Sequence, residues 1–109
     1  MNERRNRRSE KAHEAMTLFL ESLREKVGLA AVALTTRDGL LVAGAGANVD
    51  LEWMGALGAS RGLSTFAWDE HTLHVQPLNV NNTELRLTSA GKSVHAPSVA
   101  AGLARILAA

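Results

Sequence analysis

The sequence predicts an α/β chain (α+β) built as a single five-stranded antiparallel sheet sandwiched by helices, in the order α-β-β-α-β-β-β-α. Three observations lead there. Two segments, near each end, repeat their apolar residues in steps of three and four, the mark of a helix with one buried face. Several short runs rich in Val, Leu and Thr are separated by Asp-Gly, Asn-Asn and Gly-Lys, which are turn pairs. The links between these runs are too short for crossovers, so neighbouring strands must be antiparallel. Helices on the faces of one sheet are the economical way to bury both surfaces.

The first helix is expected over 9–27. Ser9 is a suitable N-cap, because its hydroxyl can accept from a free backbone N–H. Ala12, Ala15, Met16, Phe19, Leu20, Leu23 and Val27 then fall on one stripe, with Glu14, Glu21, Arg24 and Glu25 opposite. Gly28 is the usual residue for a left-handed stop. Leu29–Thr35 and Leu40–Ala45 form two apolar strands around Thr36-Arg37-Asp38-Gly39, where Asp-Gly tolerates the positive φ of a tight turn. Both runs are apolar on both faces, so this hairpin belongs mid-sheet or under cover on two sides.

Asp50 is expected to cap a second helix that ends near Arg61. Leu51, Trp53, Met54 and Leu57 are its apolar residues, and it also holds Gly55, Gly58 and Gly62. Each interior glycine costs roughly 1 kcal/mol against alanine. Their spacing puts them along one face, where they suit close approach of another backbone, and a neighbouring subunit is the expected occupant. Strands follow at 64–68, 71–80 and 83–89. Pro77 lacks a ladder donor, which calls for a bulge or an edge position. Pro97 suits the first turn of a last helix with Val99, Leu103, Ile106 and Leu107 as its buried stripe.

The chain has 109 residues, one domain by length, and 46 % of them are hydrophobic. It has two Trp, two Phe and no Tyr, so Leu, Val and Ala must build the core. A thin aliphatic core in a short chain favours help from a partner. With no Cys, disulfides and thiolate metal sites are excluded. No charged-then-apolar leader is visible and no apolar run approaches about 18 residues, so a cytoplasmic protein without membrane insertion is the default expectation. Net charge is +1, which suggests no nucleic-acid partner. The charge is uneven: Arg4, Arg5, Arg7, Arg8 and Lys11 against Glu3 and Glu10 give the first eleven residues +3 and the rest −2. Residues 1–8 show no apolar periodicity and read as a flexible basic tail, a candidate contact for an acidic partner, with the folded domain over 9–109.

The order, the lengths and the run from Val27-Gly28 through Asp38-Gly39 to Leu40-Leu-Val-Ala resemble the roadblock/dynein light chain family. The match is to its profilin- and longin-like α/β fold, over about 9–107. Among bacterial members the resemblance is to MglB-type (MglB/MglC-like) proteins. It implies two-fold dimers that pack their second helices and extend their sheets through the third strands. The partners it implies are a second copy, a roadblock paralogue, and a Ras-like GTPase or polarity adaptor. The implied role is a non-enzymatic adaptor without a cofactor. The alternatives are a GTPase-activating subunit, or a basic-tail module for nucleic acid or a membrane surface. The glycine-rich second helix and the very short link into the third strand depart from the family pattern.

Trp53, Met54, Leu57, Gly58, Arg61, Phe66 and Trp68 are the interface candidates. Aromatics are scarce here and cluster on and after the glycine-bearing helix, and Trp is enriched at interface hot spots. The alternative is plain core. Other motifs are weaker. Gly58-Ala-Ser60-Arg-Gly62 matches G-x-S-x-G, but that chemistry needs Ser on a strand-to-helix turn. Gly44-Ala-Gly46-Ala-Asn48-Val49 lacks a third glycine and a parallel βαβ unit. His13, His71, His74 and His95 lack metal-ligand spacing. No catalytic or metal residues are expected.

Overall fold

A computed structural model describes residues 3–46, 49–62, 64–68 and 70–108. The elements are α1 (Glu3–Val27), β1 (Ala31–Thr36), β2 (Leu41–Gly46), α2 (Leu51–Arg61), β3 (Thr65–Trp68), β4 (His71–Val80), β5 (Thr83–Ala90) and α3 (Ala96–Ala108). The predicted element order is therefore the observed one. All pairings are antiparallel in one sheet, ordered β2-β1-β5-β4-β3.

α1 begins at Glu3, not at 9. The helix crosses the expected boundary between tail and domain, and Ser9 lies inside it rather than at its cap. Met1 and Asn2 fall outside the described residues. The predicted stripe faces inward: Met16 and Leu20 are buried and Phe19, Leu23 and Val27 pack against the core. Gly28 takes φ +80 and its N–H, like that of Leu29, donates to the Arg24 carbonyl at 2.9 Å. Lys92 Nζ lies 3.4 Å from the Val27 carbonyl and places a cation at the negative end of α1.

Both sequence turns do their predicted work. Gly39 has φ +92 and donates to the Thr36 carbonyl at 3.0 Å, while Thr36 N–H donates to Leu40 O at 2.9 Å. Asn81 and Asn82 both have positive φ, 50° and 65°, between the paired Val80 and Thr83. Two positive φ values make the type I′ turn that matches the twist of a hairpin.

The sheet separates two cores. On one side α1 and α3 cover Val32, Leu34, Leu78, Val80, Leu85 and Leu87, joined by Leu20, Val99 and Leu103. On the other, α2 covers a smaller set: Ala31, Ala33, Met54, Leu73 and Ala90. The burial of β4 changes face along its length, from Leu73 and Val75 to Leu78 and Val80. The predicted bulge is not its cause, because the β4–β5 register runs unbroken through Pro77↔Arg86. Each end of β4 is covered by a different helix layer. The edge expectation is the correct one. β3 pairs only as far as Thr65↔His74, and Val75 N–H reaches back to Ser64 O at 2.9 Å. Pro77, two residues on, aims its missing donor to that same side, where no strand among the described residues pairs with it.

In α3, Val99 and Leu103 are buried as expected. Leu107 is not: it is 43 % exposed, while Ile106 beside it is half-buried against the core. Gly102 admits the Phe19 ring against the α3 backbone, where a Cβ would collide with Cζ and Cε1.

Candidate interaction surface

α2 carries Trp53, Met54, Leu57, Gly58 and Arg61, and β3 carries Phe66 and Trp68. Asp50 caps it as predicted, with its Oδ1 accepting from Trp53 N–H at 3.0 Å. Glu52 in the first turn and Arg61 in the last follow the helix dipole. The helix crosses the sheet diagonally. Leu51 lies over Gly44 of β2, Gly55 over Thr35 of β1, Gly58 over Thr88 of β5, and Arg61 over the Phe66 ring of β3 at 4.9 Å.

This path corrects the expectation for the glycines. The close approach is present, but the neighbour is the chain's own sheet. A Cβ on Gly55 would stand 2.5 Å from Thr35 Cγ2, and one on Gly58 would collide with Thr88 Oγ1. Threonine is branched at Cβ, so a second Cβ directly above it has no room, and hydrogen is the side chain that fits. Gly62, expected within the helix, instead lies beyond it as the C-cap, with φ +77 and open space around it. Gly58 and Met54 are buried inside the protomer, Met54 at 0 % exposure, and neither is available to a partner.

The other candidates stay accessible. Trp53 is 59 % exposed. Arg61 is exposed, while Leu57, Phe66 and Trp68 are half-buried against the smaller core. The structure adds two residues to this surface that the sequence pattern did not assign to it: Ala56 and Ser60 are exposed, and with Trp53 and Leu57 they complete one helical stripe. Steps of three and four counted from Trp53 reach both. The C-terminal end of α2 reaches β3 through Arg61 over the Phe66 ring, and the outer edge of β3 carries no strand among the described residues. A helix face next to an open strand edge offers apolar burial and backbone pairing together.

Among the described residues, no group of three or more His, Asp or Glu is placed to hold a metal ion. Ser60 sits in the last turn of α2 and donates its hydroxyl to the Leu57 carbonyl at 3.0 Å. The strand-to-helix turn of a nucleophilic serine is not present at that point. Gly44 and Gly46 lie within β2, and Ala47 and Asn48 fall outside the described residues. His74 Nδ1 lies 3.3 Å from Thr65 Oγ1, and His95 Nδ1 lies 2.7 Å from Ser98 Oγ at the start of α3. Among the described residues, no helix is long and apolar enough to cross a membrane.

No protein-family model matches the chain, and no curated protein does so significantly. Solved structures do. The chain is similar to Myxococcus xanthus MglB, with TM-score 0.64 and 14 % identity over 88 % of this chain and 90 % of that one. It is similar to the gliding protein MglB of Thermus thermophilus, with TM-score 0.66 and 16 % identity over 89 % and 91 %. A third match is MglB with a tetrameric arrangement, at TM-score 0.64 and 18 % identity over 89 % and 90 %. At these identities the likeness concerns the backbone. The five-stranded antiparallel sheet, its three helices and their order give this chain the fold of the MglB-type roadblock proteins.

Proposed function

We propose that this protein is a non-enzymatic adaptor that pairs through the outer face of α2 and the edge of β3 with a second copy of itself or a roadblock paralogue. In this reading the pair, not the monomer, docks onto a component of a Ras-like GTPase module. One observation carries the proposal. The largest side chain of α2, Trp53, is 59 % exposed in the protomer, and at its far end α2 meets the open-edged β3 where Arg61 lies over the Phe66 ring. Exposing a Trp of that size forgoes about 1.5–3 kcal/mol of burial, which a partner would recover. The fold shared with MglB, one structure of which is a tetrameric arrangement, supports the same direction.

Sedimentation equilibrium tests the pairing. The expected result is a species near twice the 11.6 kDa chain mass at micromolar concentration, shifted to the monomer by Trp53→Glu. A wild-type monomer at every concentration, alone and with a paralogue, refutes it.

Arg61 favours a second reading, a GTPase-activating subunit. It is exposed at the end of α2 and held over the Phe66 ring, so its guanidinium is partly oriented before any partner arrives. Faster GTP hydrolysis by a cognate Ras-like GTPase, lost in Arg61→Ala, is the outcome this reading requires.

A further inference from the structure

We infer that α2 is a detachable element: it lifts from the sheet as a unit far more readily than any other helix or central strand, while the opposite core stays intact. Three independent features of its seat lead there. The first is the small apolar contact. α2 fully buries one large side chain of its own, Met54, against Leu73 and the small Ala31, Ala33 and Ala90, with Leu51 and Leu57 only half-buried. Beneath α1 and α3, by contrast, Leu20, Val32, Leu34, Leu87, Val99 and Leu103 are sealed at 2 % exposure or less.

The second feature is polar. Thr35 and Thr88, directly under Gly55 and Gly58, are 0 % exposed, and neither hydroxyl finds a hydrogen-bond partner among the described residues. A buried hydroxyl without a partner has lost its water and gained nothing in return. Lifting α2 hydrates both at once, so the docked state carries a penalty that the lifted state does not. The third is intrinsic. Two interior glycines weaken the helix that must hold this position.

The consequence concerns regulation of the surface proposed above, and in that respect it rests on that reading. The stripe of Trp53, Ala56, Leu57 and Ser60 is carried on a movable support. A partner that binds the docked helix selects that state and tightens it, and one that needs a different angle meets little resistance.

Native-state hydrogen exchange on the full chain tests the inference, read at a low micromolar concentration and again about a hundredfold higher. At the low concentration the amides of Met54–Arg61 should exchange at least on the order of a hundredfold faster than those of β1 and β5. Thr88→Val keeps the shape and removes the unpaired hydroxyl. It should slow exchange in α2 by on the order of tenfold and leave α1 and α3 unchanged. Thr35→Val is the second variant and should act in the same direction. Equal protection of α2 and β1 at low concentration overturns the inference. So does fast exchange in α2 that responds to neither valine. Slowing of α2 at the higher concentration reports pairing instead, so failure of the pairing proposal is read separately.

Discussion

Substitution of Gly58 by alanine tests the seating of α2 most sharply, because helix propensity and packing make opposite predictions. On an exposed helix surface the change gains roughly 1 kcal/mol. Here the new Cβ would strike Thr88 Oγ1 and stand 3.1 Å from Cγ2 and 3.2 Å from Cβ, and Thr88 is wholly buried on a central strand with nowhere to turn. Overpacking of this kind costs about 1–3 kcal/mol. Packing wins, and Gly58→Ala is expected to destabilise by up to about 2 kcal/mol net of propensity. In a chain of this length each kcal/mol is worth roughly 4 °C in Tm. The three atoms nearest the new methyl all belong to the Thr88 side chain, so Thr88→Ala opens the space. Thermal and urea unfolding of the two single variants and the double variant complete a cycle, whose coupling should be favourable by at least about 1 kcal/mol. Additive effects, or a single Gly58→Ala that is stabilising, would show that α2 does not lie on Thr88.

Other expectations concern separate parts of the molecule. Gln76 holds the β5–α3 link by donating from Nε2 to Val94 O at 3.0 Å and accepting from Val94 N–H at 3.2 Å. Gln76→Ala leaves both groups of a buried residue unpaired and should cost about 1–3 kcal/mol in urea unfolding. Leu20→Ala, at a sealed site, should cost about 2–5 kcal/mol, while Leu18→Ala, 69 % exposed on the same helix, should stay within about 0.5 kcal/mol. Asp50→Ala removes the α2 cap and should cost about 1 kcal/mol, seen as faster exchange at the Trp53 and Met54 amides. Asn82→Gly relieves a positive φ of 65° and should raise Tm slightly; a fall would contradict the type I′ assignment.

Local chemistry was legible in the sequence wherever the signal was local. The α1 stripe, the Asp50 cap, the Gly39 turn and the Asn81-Asn82 turn each depend on residues a few positions apart, and all stand where spacing placed them. Contacts between distant segments were not legible. That Gly55 and Gly58 meet Thr35 and Thr88 depends on which face of α2 turns inward, and apolar residues lie on both faces. Met54 satisfies the core and Trp53, its neighbour, does not, so the helix offered two credible buried sides. The start of α1 was missed for another reason. Between Asn2 and Lys11 no apolar residue marks a helical face, and the helix continues there by propagation from the packed turns behind it. At the surface, clustering of scarce aromatics singled out Trp53, which is exposed, together with Phe66 and Trp68, which are half-buried against the smaller core. It could not separate them from Met54 and Gly58, because proximity in sequence says nothing about direction on a helix.

The chain contains no cysteine, so introduced thiols report contacts between copies without background. Ala67 is exposed on the free-edge strand β3, and Leu18 is exposed on α1, across the sheet from α2. Residues facing one another across an antiparallel pair stand about 4.5–5.5 Å apart at Cα, within reach of a disulfide. If α2 and β3 form the pairing surface, mild oxidation cross-links Ala67→Cys into a covalent dimer well before Leu18→Cys. Equal rates, or faster linkage through position 18, would place the contact between copies elsewhere on the molecule.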